Sequence, residues 1–242
     1  AAVILYFRVS KPLKKISMRM KGFVSDRDAG FEKLPVKGKD ELAEMSDSFN
    51  TMAEELEQYI DDVAELNRQK AELNIAQTIQ LGLLEPDSFE NDKVKIHASM
   101  TTARVVGGDL YDYRILDNGS VFVAIGDVSG KGITAALFMA RAITLLNNYA
   151  KLGYSPAKML FEFNNNLAAH NPNMMFITAF VAVYDPKAGE LIYSNAGHNY
   201  PYIISDKLTA LNTENGIMAG SFEDVEFPEY TVKMKPGDCL FM

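Results

Sequence analysis

From Leu42 to Leu66 the chain carries apolar residues at alternating steps of three and four: Leu42, Met45, Phe49, Met52, Leu56, Tyr59, Val63 and Leu66. Held over so many positions, that period marks a coiled-coil seam rather than the face of an ordinary surface helix. Glu and Asp fill most positions between, so the other faces of the rod are solvated. A helix from about residue 40 to 84 would be on the order of 65 Å long at 1.5 Å per residue. A monomer of 242 residues cannot cover one side of such a rod, so dimerisation is the economical solution. The next seam position is Lys70. Beyond it the apolar residues are Leu73, Ala76, Ile79 and Leu83, a change of phase before the helix stops near Pro86.

Upstream, Leu13, Ile16, Met20 and Phe23 make a shorter helical stripe, and residues 25–39, with Asp26, Asp28, Gly30, Pro35 and Gly38, form a connector. Ala1 to Phe7 is wholly apolar, too short for the roughly 20 residues of a membrane span. Arg8, Lys11, Lys14, Lys15, Arg19 and Lys21 follow with no acidic residue before Asp26, the cationic bias found just cytoplasmic of a membrane helix. This pattern predicts the end of a transmembrane helix at 1–7. The alternative is a buried helix start followed by a solvated basic face. A net charge of −8 argues against a chain built mainly to coat nucleic acid. One cysteine, Cys239, cannot close an intrachain disulfide, and with three scattered histidines it makes no zinc finger.

Past Pro86 the texture changes to short β-branched and aromatic runs. Strands are predicted at 94–101, 110–116, 120–128, 176–185, 190–196, 201–204 and 229–235, with another beginning at Asp238 and a hairpin turn at Asp117-Asn118-Gly119. Helical spacing occupies 131–150 and 155–170, the second opening with Ser155 and Pro156. Strands, a helical pair and more strands imply an α+β layered domain over 88–242.

Two glycine-rich turns place a carboxylate at a strand end: Gly107-Gly108-Asp109, and Gly126-Asp127-Val128-Ser129-Gly130-Lys131-Gly132. Carboxylate and carbonyl oxygens suit Mg²⁺ or Mn²⁺. Taken singly, each turn also reads as an Asp bonding its own backbone. The second is not a phosphate loop, because only three residues separate Gly126 from Gly130 and a glycine follows Lys131.

Pro12, the loop with Gly30, Leu34 and Val36, and the run DELAEMSDSFNTMAEEL at Asp40 to Leu56 resemble a HAMP domain, the dimeric helical relay that follows membrane helices in bacterial receptors. AQTIQLGLLEP (76–86), ARVVGGDLYDY (103–113), GDVSGKGITAALFMA (126–140), FITAFVAVYD (176–185), LIYSNAGHNYPYII (191–204), GIMAG (216–220) and KPGDCLFM (235–242) resemble, in order and spacing, the SpoIIE-like branch of PPM-type metal-dependent serine/threonine phosphatases. The domain reading is therefore membrane helix end 1–7, HAMP 8–60, coiled-coil signalling helix 61–87 and phosphatase domain 88–242. The resemblance implies a β-sandwich flanked by helices with two Mn²⁺ or Mg²⁺ ions in a cleft, activating water for direct attack on a phosphoserine or phosphothreonine.

Carried over residue by residue, Asp109 and Asp127 are expected to be metal-bridging carboxylates and the Val128 carbonyl a further ligand. Asp112 is expected in the outer shell, because three positions along a strand it faces away from Asp109. His198 reads as a general acid or phosphate-orienting group, or as a loop-bonding histidine beside the cleft. Arg104 reads as a phosphate partner or a solvated strand-end arginine. His97, His170 and Cys239 have no partner at a meaningful spacing. The family pattern continues with Thr-Asp-Gly and a later Asp that contribute further ligands; the chain stops at Met242, so on its own it is expected to lack activity.

The resulting expectation is a dimeric, membrane-tethered receptor phosphatase with its catalytic part cytoplasmic. The resemblance implies a phosphorylated anti-sigma-factor antagonist as its substrate. The rival is a non-catalytic relay that only binds a phosphoprotein. A histidine kinase is excluded, because residues 60–84 hold no histidine to phosphorylate.

Overall fold

The structure is a computed structural model that describes every residue except 1–2, 4–5, 26–32, 37, 103, 170 and 212–215, and excepting the side chains of Arg8 and residues 22–25. Most of the apolar stretch 1–7, Asp26, Asp28 and Gly30 of the expected connector, and His170 lie outside the described residues. The chain divides into two compact units, Ala1–Glu72 and Leu73–Met242.

In the first unit Tyr6–Ser10 form one π-helical turn, followed by helix α1 (Lys11–Ser25) and the start of the long helix α2 (Glu41–Leu81). Among the described residues no helix is long and apolar enough to cross a membrane. Asp40 opens α2 by accepting the Ala43 N–H on its Oδ1 at 3.1 Å. Ile16, Leu34 and Phe49 form a small core with Met20 against it. Asn50, buried in α2, clasps the Leu34 backbone from both sides: it accepts the Leu34 N–H at 2.7 Å and donates to the Leu34 carbonyl at 2.9 Å. Only part of the seam is used in this packing. Phe49 is buried, while Met45, Met52, Leu56, Tyr59 and Leu66 are exposed in the single chain.

The second unit holds the sheets. Strands β1 (Ser88–Glu90) and β2 (Lys95–His97) pair by themselves. The main antiparallel sheet runs in the order β3 (Leu110–Ile115), β4 (Val121–Val128), β5 (Ile177–Asp185), β6 (Glu190–Ala196) and β9 (Glu229–Lys233). A smaller sheet has β7 (Tyr202–Ile204) between β10 (Cys239–Phe241) and β8 (Leu208–Ala210). Between β4 and β5 come α3 (Ile133–Lys151) and α4 (Pro156–Ala169).

Strand β5 shows why the layers stack as they do. Ala179 and Val181 point into a core shared with Met139, Leu146 and Phe163 of the helices; Phe180 and Ala182 point into a second core with Tyr193, Ile203 and Leu211. Period-two alternation with both sets apolar is what a strand between two covered faces requires. The outcome is the α+β arrangement expected, helices on one face of the main sheet and a second sheet on the other. Three elements differ from expectation. The run 94–101 yields only three strand residues, and β1 and β8 form where no strand was expected, β8 in a segment whose first two residues are exposed.

Asparagines of α4 fix the long connection before β9. Asn164, fully buried, accepts the Gly220 N–H at 2.9 Å and donates to the Phe222 carbonyl at 2.8 Å, and Asn165 accepts the Asp224 N–H at 2.7 Å. Replacing Asn164 by Ala strands two backbone groups, so Asn164→Ala is expected to lower unfolding stability by about 1–3 kcal/mol. A denaturant midpoint unchanged from the parent chain would refute this assignment.

Candidate metal centre

The β3–β4 hairpin builds the site. Its turn is closed by the Leu116 N–H on the Ser120 carbonyl and by Gly119 at φ 85°, a left-handed conformation that glycine adopts freely. The ladder then pairs Ile115 with Val121 and continues to Leu110 opposite Gly126. Continued by one residue, that register sets Asp109 opposite Asp127, and side chains directly opposite in antiparallel strands have Cβ atoms roughly 4.5–5.5 Å apart. The two carboxyl groups are close enough to act on each other electrostatically. Asp109 is held above the usual carboxylate range first by burial and then by the Asp127 charge.

Gly108 brings in the backbone. A Cβ there would lie 2.9 Å from the Val128 carbonyl oxygen and 3.3 Å from Cβ of Ala135 in α3. Only glycine admits that approach, which sets the Val128 carbonyl beside the Gly108-Asp109 turn. Past Val128 the chain is stitched to the strand opposite: Ser129 donates its N–H to the Phe176 carbonyl at 2.8 Å, and its Oγ accepts the Phe176 N–H at 2.9 Å. Helix α3 then starts at Gly132 with no side-chain cap and no acidic residue in its first turn. The Arg104 Nη1 lies 4.0 Å from where a Gly132 Cβ would stand, so this exposed guanidinium is beside the helix start.

His198 approaches from β6. It is half-buried; its Nδ1 shares a 2.9 Å hydrogen bond with the Thr178 hydroxyl, and Thr178 is the cross-strand partner of Asp127. Asn195 fixes its backbone, accepting the His198 N–H at 2.8 Å and donating to its carbonyl at 3.0 Å. Burial pushes the imidazole below its ordinary value, and the Asp109 charge opposes that shift. Asp109, Asp127, the Val128 carbonyl and His198 therefore gather at one end of the main sheet. Asp112 does not join them: its charged and polar neighbours are Arg114, Glu85 and Asn147.

Sequence reasoning missed Gln80. At the end of α2, buried, it donates to the Gly107 carbonyl at 2.6 Å and accepts the Gly107 N–H at 3.1 Å, two residues before Asp109. Helical periodicity gave no signal, since the phase beyond Lys70 ranks Ile79 as the inward residue and Ile79 is exposed.

The donor set fits a divalent cation. Two exposed carboxylates set opposite each other, beside a backbone carbonyl, are hard oxygen ligands whose mutual repulsion a cation relieves. Among the described residues no group of three His, Cys, Asp and Glu side chains converges. The structure thus provides a pair of acidic donors and their carbonyl neighbour.

Comparison with known proteins agrees with this geometry. Residues 117–242 match the family described as stage II sporulation protein E, and residues 4–58 match the HAMP domain. The phosphoserine phosphatase RsbU of Bacillus subtilis is 29% identical over 175 residues, covering 72% of this chain and 52% of RsbU. The phosphoserine phosphatase RsbP of the same organism is 32% identical over 164 residues, covering 65% of this chain and 40% of RsbP. The PP2C domain of SiaA from Pseudomonas aeruginosa has the same fold, with a TM-score of 0.57 at 21% identity over 73% of this chain and 72% of that one. The chain spans about half the length of RsbU and less of RsbP. With more than half of its residues matched, and with a PP2C-like sheet and helix arrangement, the chain belongs to the stage II sporulation protein E family and carries a HAMP domain ahead of the family's characteristic unit.

Proposed function

We propose that the second unit is the catalytic part of a metal-dependent phosphoprotein phosphatase that hydrolyses phosphoserine or phosphothreonine. The single observation that carries this reading is the β3–β4 register that sets Asp109 opposite Asp127, electrostatically interacting and beside the Val128 carbonyl. Asp109, Asp127 and the Val128 carbonyl would hold Mn²⁺ or Mg²⁺, two ions by the family resemblance, and the bound cations would supply Lewis-acid activation of water and neutralise phosphoryl charge. The chain's own residues do the rest. The Gly108–Val128 approach and the β3–β4 register hold the carboxylates in place. His198, anchored by Asn195 and Thr178, supports Asp109 from the outer shell. Arg104, whose guanidinium lies beside the start of α3, would pair with phosphate oxygens. In the net reaction a water oxygen bonds to phosphorus, the bond from phosphorus to the seryl or threonyl oxygen breaks, and that oxygen takes a proton.

The first unit is proposed to be a dimeric transmitter. Met45, Met52, Leu56, Tyr59 and Leu66 form an uncovered apolar stripe along α2, the face that a second HAMP-bearing copy would cover. The basic residues after Phe7 support a position of this end at the cytoplasmic surface of a membrane, with the catalytic part in the cytoplasm. The relatives RsbU and RsbP are phosphoserine phosphatases, and the substrate proposed here is a phosphorylated anti-sigma-factor antagonist. Regulation is proposed to run through Gln80. It is the last buried polar residue of α2 and holds the peptide that leads into Asp109, so displacement of α2 would move a metal ligand.

In the full-length protein, Asp127→Ala is expected to reduce Mn²⁺-dependent phosphate release from a phosphoserine protein by about 100-fold or more, since outer-shell changes alone cost 10–100-fold at metal sites. Rates equal to the parent protein would favour the relay reading. Gln80→Ala leaves both Gly107 groups without their partner and is expected to raise the Mn²⁺ concentration needed for half-maximal rate by about 10-fold or more. An unchanged metal requirement, with regulation intact, would separate α2 from the site.

A further inference from the structure

Asp112 stands in the middle of β3 with its side chain sealed from solvent and neither carboxylate oxygen in a well-formed hydrogen bond. A buried group of this kind is costly and rare enough to need a reason. Burial pushes its carboxyl up to about 7, opposed by Arg114, reinforced by the Glu85 charge, and opposed more weakly by the Tyr113 backbone and the Asn147 side chain, neither of which makes a well-formed bond to it.

The nearest cation is Arg114, whose Nε is 3.9 Å away, and it is already engaged. Its Nη2 pairs with Glu85 at 3.0 Å, and its Nε donates to the Asn147 side-chain oxygen. One guanidinium therefore faces two carboxylates and satisfies only one. The groups around Asp112 are Arg114 and Tyr113 on β3, Glu85 on the segment that leaves α2, and Asn147 on α3. A pocket of about 470 Å³ borders Glu85, Tyr113, Arg114 and Lys151, so the guanidinium and its Glu85 partner are not packed in on that side.

We infer that Arg114 is an exchangeable clasp: Glu85 and Asn147 hold it in the arrangement seen, and in a second arrangement it turns onto Asp112 and releases them both. In the first state Asp112 keeps its proton; in the second the proton passes to solvent and the carboxylate gains a charged partner. Glu85 belongs to the exit of α2, and Asn147 to the helix that starts after Asp127. The exchange therefore alters in one step what ties these two elements to β3. Only its regulatory use rests on the function proposed above; the exchange itself is independent of catalysis.

The test reads the Asp112 carboxyl directly, by carbon NMR titration of the full chain, with Asp112→Asn to assign the resonance. In the parent chain it titrates near neutral. In Glu85→Gln, which removes the competing carboxylate at a partly exposed position, Arg114 can turn onto Asp112 and the midpoint falls by about one unit or more, a ~10-fold change in proton affinity. An unchanged midpoint in Glu85→Gln, or a parent carboxyl titrating near the ordinary value of about 4, overturns the clasp. Denaturant unfolding provides a second reading. Because the folded-state value lies above the unfolded one, Asp112 lowers stability as pH rises from the unfolded value through about 7. Asp112→Asn should therefore gain on the parent chain over that window, and lose most of that gain when Glu85→Gln is also present. An equal gain in both backgrounds contradicts the exchange.

Discussion

Two like charges brought face to face by a hairpin are the constraint on which the C-terminal unit depends. Antiparallel pairing about the Asp117–Gly119 turn leaves no freedom in where Asp109 goes once Leu110 is opposite Gly126. The contact is unfavourable by itself, and the fold holds it against that repulsion. Gly108, lacking a Cβ, admits the close approach of the Val128 carbonyl and Ala135, and Asp127 is paired with Thr178 on the next strand. A core that packs Phe122, Ala124 and Val128 against α3 and α4 supplies the rigidity. Like-charged carboxylates held this way are a feature of sites prepared for a cation, since their mutual repulsion is what the cation relieves.

The same hairpin connects the site to the rest of the unit at both its ends. At one end, Gln80 grips Gly107 just before Asp109. At the other, Arg114 ties Glu85 to Asn147, with Asp112 unsatisfied between them. Tyr111 and Tyr113, on the opposite face of β3, donate to the carbonyls of Glu85 and Pro86 at 2.9 and 2.8 Å. The segment that follows α2 is thus fastened to β3, the edge strand that leads out of Asp109, at Tyr111, Tyr113 and Arg114. These contacts are the ones on which the proposed regulation through Gln80 depends.

Much of this was legible in the sequence. Alternating apolar residues located β3 to β6 within a residue or two, and glycine at 119 marked the turn. Asp109 and Asp127 are each nine residues from Asn118, so a hairpin centred there predicts their meeting without any family resemblance. What was not legible depends on contacts distant in sequence. Gln80 looks like any polar helix residue until the strand 27 residues on is placed beside it. Asp112 was set in the outer shell by strand alternation alone. Alternation correctly turned it from Asp109 but could not show that it lands among Arg114, Glu85 and Asn147. The seam on α2 was readable as apolar, yet its division between Phe49, buried against Ile16 and Leu34, and the exposed Met45 and Met52 required the packing of α1 to be known.

The central claim is that Asp109 and Asp127 repel each other in the free protein and are joined by a divalent cation. Thermal unfolding of the parent chain and of Asp109→Asn, each with and without Mn²⁺, tests it most directly. Opposite signs are expected: without metal Asp109→Asn unfolds at a higher temperature than the parent, because a repulsive contact is gone, and Mn²⁺ stabilises the parent but not the variant. Equal stabilisation of both by Mn²⁺, or a variant less stable than the parent in the absence of metal, would contradict it.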